Sequence, residues 1–123
     1  MKYISLCENH LFTKAYKTGK RAPAAHITVY VLSDKHAALL KRRNPMHEKI
    51  NRVGFAVPKK KIGAVGRNRI KRILREAYRQ LEKEHDVAKG KLIVVSASPS
   101  ALKLKTPEVY QELVGAARKA QII

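Results

Sequence analysis

The residues best suited to chemistry in this sequence are cationic, and they are concentrated in one segment. Nine of the 27 lysines and arginines lie between residues 59 and 79, where Glu76 is the single acid. They are Lys59, Lys60, Lys61, Arg67, Arg69, Lys71, Arg72, Arg75 and Arg79. A merely solvated helix face would intersperse acids as i,i+4 partners, whereas Lys71 and Arg75 stand four apart and repel. A polyanion would remove this repulsion, so the segment indicates nucleic-acid contact.

The same segment has the period of an amphipathic helix. At 100° per residue, apolar side chains fall on one arc and a polar stripe lies opposite. The arc contains Ile70, Ile73, Leu74, Ala77, Tyr78 and Leu81, and the stripe contains Asn68, Arg72, Arg75 and Arg79 with Arg69 and Lys71 at its margins. Gly63 and Gly66 predict a turn before a helix that begins near Arg67. Unpaired N–H groups at such a helix start favour phosphate.

Protein-based cleavage chemistry is not indicated by the sequence. A nuclease needs an acid and a base near the phosphate, or carboxylates that hold metal ions. The nine acids are scattered, and the nearest approach to a cluster, Glu82, Glu84 and Asp86, forms no convincing metal-ligand set. Cys7 is the single cysteine and has no evident activating partner. We therefore predict no catalytic residue and no metal ligand in the protein itself.

Length and composition favour one small basic domain, which we place at residues 1–123. The chain has 123 residues, 45% of them hydrophobic, and a formal net charge of +18. Such a charge strains a compact fold unless a polyanion binds it. The sequence has no run of 18 apolar residues and no signal-peptide pattern at its start. We expect a cytoplasmic protein that does not associate with membranes.

The elements that position the basic segment follow from local patterns. Ser5 and Glu8 have the form of a capping box and predict a helix from Leu6 to about Lys17 that stops at Gly19. Alternating or continuous apolar runs predict three strands: Ala24 to Ser33, Arg52 to Pro58, and Leu92 to Ala97, the last buried on both faces. Residues 34–51 are typical of a long exposed loop, or of a short helix followed by a loop.

Thr106 and Pro107 predict the N-cap and first position of a last helix, which ends near Lys119. The predicted fold class is α+β, a single-domain sandwich in which helices cover a small sheet, with the order α-β-β-(β)-α-β-α.

The string AVPKKKIGAVGRNRIKRILREAYR resembles the signature of the bacterial ribonuclease P protein component. The resemblance is specific at Arg67-Asn68-Arg69, Lys71-Arg72 and Arg75-Glu76, and it extends more weakly over nearly the whole chain. It implies the ribosomal protein S5 domain 2-like fold with a left-handed β-α-β crossover. The physical default for such a crossover is right-handed, so this feature comes from the resemblance alone.

The resemblance also implies a function and its residues. Ribonuclease P is a ribozyme in which the RNA subunit, with Mg²⁺, removes the 5′ leader of precursor tRNA. The implied partners are ribonuclease P RNA and precursor tRNA, with no obligate protein partner. Residues implied to bind the RNA subunit are Lys59, Lys60, Arg67, Asn68, Arg69, Lys71, Arg72, Arg75 and Arg79. Residues implied to receive the leader are Phe12, Tyr16, Tyr30 and Arg52, since bases stack on aromatic side chains.

Three alternatives remain open at this point. Phe12 and Tyr16, four residues apart, fit the core face of an ordinary amphipathic helix as well as a binding cleft. Gly54 and Ala56 give one strand face low relief, which suits either an RNA groove or close helix packing. A different basic RNA-binding protein, associated with the ribosome and without a processing role, would have the same overall charge.

Overall fold

The structure is a computed structural model that describes residues 3–6, 9–33, 51–58 and 62–123. In these residues it has five strands, three α-helices and one 3-10 helix. They are β1 Tyr3–Ser5, α1 Asn9–Thr18, β2 Lys20–Pro23, β3 Ile27–Ser33, β4 Asn51–Ala56, α2 Ala64–Glu84, β5 Lys91–Ala97, the 3-10 helix Pro99–Lys103 and α3 Thr106–Lys119. The predicted α+β class and the order of the predicted elements are confirmed, and β1 is an additional element.

One mixed sheet organises the described chain, with the strand order β1-β4-β5-β3-β2. β1 and β5 both run parallel to β4, whereas β3 pairs antiparallel with β5 and β2 antiparallel with β3. The strands β4 and β5 are adjacent, parallel and connected through α2, so they form a β-α-β unit. The handedness of this connection stays a prediction of the resemblance.

The two faces of the sheet carry different helices. On β5, Leu92 and Val94 pack in a cluster with Ala15 of α1. Ile93 and Val95 alternate with them and pack in the larger cluster that contains the buried faces of α2 and α3. These four consecutive side chains of β5 are all buried, which confirms the prediction of a central strand that is covered on both faces. Each such aliphatic side chain contributes roughly 1.5 to 3 kcal/mol by leaving water.

The basic helix α2 buries the predicted apolar arc: Ile70, Ile73, Leu74, Ala77, Tyr78 and Leu81. Its predicted start is wrong, because α2 begins at Ala64 rather than near Arg67. Gly63 is the N-cap, whereas Gly66 lies inside the first turn. A Cβ at Gly66 would lie 2.6 Å from Cγ2 of Ile62, so this glycine permits close packing and does not form the turn.

The predicted start of α1 is also wrong. Ser5 belongs to β1, and α1 begins at Asn9 rather than at Leu6. The N–H of Leu6 donates to the carbonyl of Val53 at 2.9 Å, which continues the pairing of β1 with β4. Strand pairing satisfies the backbone here in place of a capping box. The predicted stop is confirmed, since α1 ends at Thr18 and the N–H of Gly19 donates to the carbonyl of Ala15.

The first predicted strand, Ala24 to Ser33, corresponds to β3 alone, and β2 at residues 20–23 precedes it. β2 and β3 form a hairpin closed by the bond from Ala24 N–H to the Ile27 carbonyl, at 2.7 Å. β3 therefore begins at Ile27 rather than Ala24. Residues 34–50 of the predicted long loop lie outside the described residues, and Asn51 already belongs to β4.

The last helix has the predicted end but a different cap. Lys105, not Thr106, is the N-cap of α3, and its N–H donates to Oε1 of Glu108 at 3.3 Å. The Thr106 hydroxyl instead donates to Oε2 of Glu76 on α2 at 3.1 Å. The Thr106 side chain, which the local pattern predicted as the N-cap, therefore makes a tertiary hydrogen bond to α2 instead. Pro107 therefore occupies the second helical position rather than the predicted first one, because Thr106 is the first residue of α3.

Candidate nucleic-acid interface

The outward face of α2 forms a continuous cationic surface, which we call the basic ridge. It consists of the exposed side chains of Asn68, Arg69, Arg72, Arg75 and Arg79. Together with Val65 and Glu76 these side chains line an open groove of about 660 Å³. None of the five turns into the core, which agrees with their predicted position opposite the apolar arc. The ridge presents arginine guanidinium groups, whose planar fork matches phosphate oxygens.

Arg67, another predicted contact with the RNA subunit, is placed differently from the ridge residues. Arg67 is half-buried, and its Nη1 donates to the carbonyl of Ile62 at 2.9 Å, which ties the helix start to the preceding turn. A guanidinium has five N–H donors, so this bond leaves others for RNA. Lys59 and Lys60 lie outside the described residues.

Lys71 stands at the margin of the ridge. It is half-buried and, with Arg75, borders a depression of about 200 Å³ lined by Leu6 and residues 53–55. Leu6 also belongs to the α1 side of the sheet. This depression is therefore where the basic ridge approaches the opposite face.

Two acids on α2 are bonded to hydroxyl groups of α3. Glu76 accepts from Thr106, and Glu84 accepts a short hydrogen bond from the hydroxyl of Tyr110. The Tyr110 hydrogen bond, assisted by one from Gln80, lowers the pKa of Glu84. The same bond raises the pKa of Tyr110, because ionising the phenol would destroy it. These bonds fix the roll of α2 against α3 and thereby the direction of the ridge.

The three aromatic residues implied to bind the leader lie on the face of the sheet opposite α2. We call this surface the aromatic trough, and it consists of Phe12 and Tyr16 of α1 and Tyr30 of β3. The rings of Tyr16 and Tyr30 meet edge to face, with centroids 5.0 Å apart and an interplanar angle of 74°. Tyr16 keeps 44% of its surface exposed, a large value for an aromatic side chain. Burial, followed by the neighbouring Tyr30, raises the pKa of Tyr16.

Phe12 has a packing role that the sequence left open. A Cβ on Gly54 would lie 2.4 Å from Cζ of Phe12 and 3.1 Å from Cβ of Leu6. Gly54 is therefore needed for α1 to approach β4, and close helix packing explains this small residue. Phe12 is half-buried in the cluster beneath α1. It therefore supports one side of the trough and offers less exposed ring surface than Tyr16.

Strand register places further side chains beside the aromatic residues. Thr28, Ser96 and Ala56 pair across β3, β5 and β4, on the face that carries Tyr30, and all three are half-buried. Thr28 and Ser96 supply hydroxyl groups that the sequence did not single out. The alternation of β3 already placed Thr28 on the face of Tyr30, but Ser96 follows only from the register between strands.

Arg52, the fourth predicted leader contact, also projects from this face. It pairs with Leu92 and is half-buried. It lies four residues from Ala56 along β4, a separation of about 13 Å. The structure thus brings Phe12, Tyr16 and Tyr30 together and places Arg52 at one end of the same face.

The part of the chain that the structure describes contains no group of three or more histidine, cysteine, aspartate or glutamate residues arranged to hold a metal ion. None of its helices is long and apolar enough to cross a membrane.

Comparison with known proteins gives a consistent result. A protein-family model described as Ribonuclease P matches residues 1–121. The ribonuclease P protein component of Natranaerobius thermophilus is 28% identical over 120 residues, which cover 98% of this chain and 92% of that protein. The corresponding protein of Photobacterium profundum is 35% identical over 103 residues, covering 83% of this chain and 75% of that protein.

Solved structures are similar over the same range. The RNase P protein of Staphylococcus aureus has a TM-score of 0.75 and 27% identity, and 98% of each chain is covered. The RNase P protein from Thermotoga maritima has a TM-score of 0.71 and covers 94% of this chain and 96% of its own, at 21% identity, which supports the fold.

Proposed function

From the premise that this chain belongs to the ribonuclease P protein family, we propose a division of labour between its two surfaces. The chain is the protein subunit of this endoribonuclease and a partner of ribonuclease P RNA. In the proposal, the basic ridge binds the RNA subunit and the aromatic trough binds the 5′ leader of precursor tRNA. The observation that carries it is that the ridge and the trough lie on opposite faces of one sheet.

The chemistry of the ridge suits a folded RNA. Its four arginines neutralise phosphates and release counterions, which gives affinity that falls steeply with salt. Asn68 adds a neutral donor and acceptor for a base edge or a ribose hydroxyl. Arg67 and Lys71 extend the contact at its two sides, and Lys59 and Lys60 belong to it by resemblance.

The chemistry of the trough suits an unpaired strand. Any base stacks on an aromatic face, so Tyr16 and Tyr30 accept a leader of varied sequence. The hydroxyls of Thr28 and Ser96 lie in the neighbouring row and offer hydrogen bonds to a ribose or phosphate. Arg52 supplies a cation at one end of this face, as the resemblance implied.

The bond-breaking chemistry belongs, in this proposal, to the RNA subunit. The ridge presents cations and an amide, whereas Mg²⁺ prefers carboxylate and phosphate oxygens. We therefore assign Mg²⁺ to the RNA subunit, which hydrolyses the phosphodiester that joins leader and tRNA. The protein holds the substrate and supports the RNA, and the complex acts in the cytoplasm.

Reconstitution tests this function. The protein is added to a bacterial ribonuclease P RNA at low Mg²⁺, and removal of the 5′ leader from precursor tRNA is measured. We expect the protein to accelerate the reaction of the RNA and to cleave nothing without it. Cleavage by the RNA-free protein would contradict the assignment of catalysis. Equal binding to ribosomal RNA, with no acceleration, would favour a ribosome-associated protein instead.

A further inference from the structure

A second cationic surface lies at the edge of the sheet that β2 forms, away from the basic ridge. We call it the basic edge and define it as Lys20 and Arg21 of β2, Lys91 of β5 and Lys119 of α3. Lys20, Arg21 and Lys119 are exposed, and Lys91 is half-buried. β2 is the strand at one edge of the sheet, three strand spacings or about 14 Å from β4.

Two of these lysines converge on one cavity. Lys20 and Lys91 line a space of about 250 Å³ together with the end of β3, residues 31–33, and the chain after α3, residues 120–122. None of the described residues that line it is acidic. Two ammonium groups that face one cavity without a carboxylate repel each other, and an anion between them relieves that repulsion.

The contacts of these lysines hold the ammonium groups without cancelling their charge. Nζ of Lys20 donates to Oε1 of Gln121 at 2.8 Å, and Nζ of Lys119 donates to the carbonyl of Pro23 at 3.3 Å. Both acceptors are neutral. Gln121 has a φ of 61°, the left-handed conformation usually left to glycine after a helix. A glycine there would close the helix equally well but would leave Lys20 without its amide acceptor.

The helix ends at this edge do not account for the cations. Lysines near a helix C-terminus are stabilised by its partial negative charge, and both α1 and α3 end here. Each helix end carries about half a negative charge, so the two together offset about one of the four cations. The basic edge therefore keeps a net positive charge, which favours binding of an anion.

The basic edge is continuous with the aromatic trough. Arg21 pairs directly with Tyr30 in the β2–β3 hairpin, so the two side chains are neighbours on the same face. Lys20, the preceding residue, pairs with Val31 and projects to the other face, toward the cavity. A single-stranded RNA that leaves the trough past Tyr30 would therefore reach Arg21 first and then Lys20 at the edge of the sheet.

We propose that the basic edge binds the phosphates of the 5′ leader beyond the segment held in the trough, with the Lys20 and Lys91 cavity as a phosphate site. This proposal rests on the proposed function of the trough. If the proposal is right, lengthening the leader beyond the trough should increase the affinity for the precursor tRNA, and this increase should require Lys20 and Lys91.

The test compares two precursor tRNAs, one with a leader just long enough to occupy the trough and one with a leader several nucleotides longer. The holoenzyme carries Lys20→Gln with Lys91→Gln, or the control Lys14→Gln with Lys83→Gln. The control removes the same charge from exposed positions outside the edge. For the longer leader, we expect the edge variant to lose roughly three- to tenfold in affinity and about 1.4 units of salt slope. For the shorter leader, both variants should bind as the parent does.

Three outcomes would overturn the proposal: no loss with the longer leader, an equal loss with both leaders, or an equal loss in the control. The first would mean that these lysines are simply solvated, and the other two would mean a general charge effect. Tyr16→Ala separates this proposal from the trough on which it rests. If Tyr16→Ala leaves binding of both leaders unchanged while the edge variant still discriminates between them, the trough assignment fails and the edge remains.

Discussion

The basic ridge and the aromatic trough differ in how they are built. The ridge comes from one helix, so its side chains are set by the 3.6-residue period and by the buried arc beneath them. The trough needs α1, β3 and β4 at once, and its shape depends on strand register and on one glycine contact. A surface made by one element follows from its sequence, whereas a surface made by three follows only from the fold.

Their placement also separates their expected roles. α2 packs on one face of the sheet and α1 on the other, so damage to one surface should leave the other intact. The exception is the depression where Lys71 and Arg75 of α2 lie beside Leu6 and Gly54. Changes there should affect both surfaces, and changes elsewhere should affect one.

The largest effect is expected from the ridge. Arg69→Ala with Arg72→Ala removes two exposed cations and should weaken binding of ribonuclease P RNA about 10- to 100-fold at low salt. The salt slope of binding should fall by roughly 1.4 to 1.8 units, since each of the two phosphate contacts contributes about 0.7 to 0.9. Titration of the RNA at several salt concentrations measures both. Arg69→Lys with Arg72→Lys keeps the charge and should keep the slope, and an alanine variant with an unchanged slope would remove the ridge from the interface.

A smaller loss, confined to the substrate, is expected from the trough. Tyr16→Ala should weaken binding of the leader by about 1 to 3 kcal/mol, the range for one stacked base. Comparing precursor tRNA with mature tRNA in holoenzyme binding isolates this effect. Tyr16→Phe keeps the ring and should bind nearly as well as the parent. If Tyr16→Ala instead impairs assembly with the RNA subunit as strongly as the arginine variant does, the two surfaces do not have separate roles.

Gly54→Ala tests whether the trough depends on how closely α1 packs. The new methyl group would lie 2.4 Å from Phe12, so α1 must shift, at a cost of about 1 to 3 kcal/mol in the free energy of unfolding. Leader affinity should fall a few-fold and affinity for the RNA subunit should not change. Gly115→Ala, at an exposed position of α3, is the control, because a Cβ there meets nothing within 4 Å. Denaturant unfolding and the two binding assays would show equal behaviour of both variants if the contact is unimportant.

The smallest effect is expected from the bond between Tyr110 and Glu84, and it depends on pH. The pKa of Glu84 is lowered from 4.5, so its contribution to stability is present above that value and lost as pH falls through the folded-state pKa. The pKa of Tyr110 is raised from 10.0, so its contribution is present below that value and lost as pH rises through the folded-state pKa.

Tyr110→Phe should therefore lower the unfolding midpoint by a constant amount between these limits, and the difference from the parent should shrink outside them. Thermal unfolding of both proteins across the pH range measures it. A difference that does not vary with pH would mean that the hydroxyl stabilises the protein without the Glu84 carboxylate. RNA affinity at neutral pH should fall only if the roll of α2 depends on this bond.

The sequence was informative where periodicity alone decides structure. The buried arc of α2, the central strand around Val94 and the end of α3 at Lys119 were all predicted correctly, because each depends on nearby residues. Long-range pairing decided the cases that failed. Ser5 has a good capping pattern, yet β1 pairs with β4 and the chain continues as a strand. Three residues of strand carry too weak a local pattern to be recognised before their partner is known.

The candidate site divides in the same way. The exposure of the ridge arginines was predicted from the helical wheel, and their role in RNA binding stays a prediction. Tyr30 was placed on the correct face by strand alternation, but its edge-to-face contact with Tyr16 required the packing of α1. Ser96 and Arg21 join this face only through the register of β3 with its two neighbours. Thr28 and Ser96 are distant in sequence, and no local pattern connects them.

Asn51, the one polar side chain buried in the described chain, has a consequence for how sequences of this type can vary. Its side-chain amide donates to the carbonyl of Ala88 at 2.8 Å, and its Oδ1 accepts the N–H of Lys91 at 2.9 Å. The first residue of β4 is thereby anchored to the segment that leads into β5. Insertions or deletions upstream of this anchor can change the length of the connection while the alignment of both strands is restored at Asn51. A change in the length of that stretch should therefore leave the basic ridge and the aromatic trough in place.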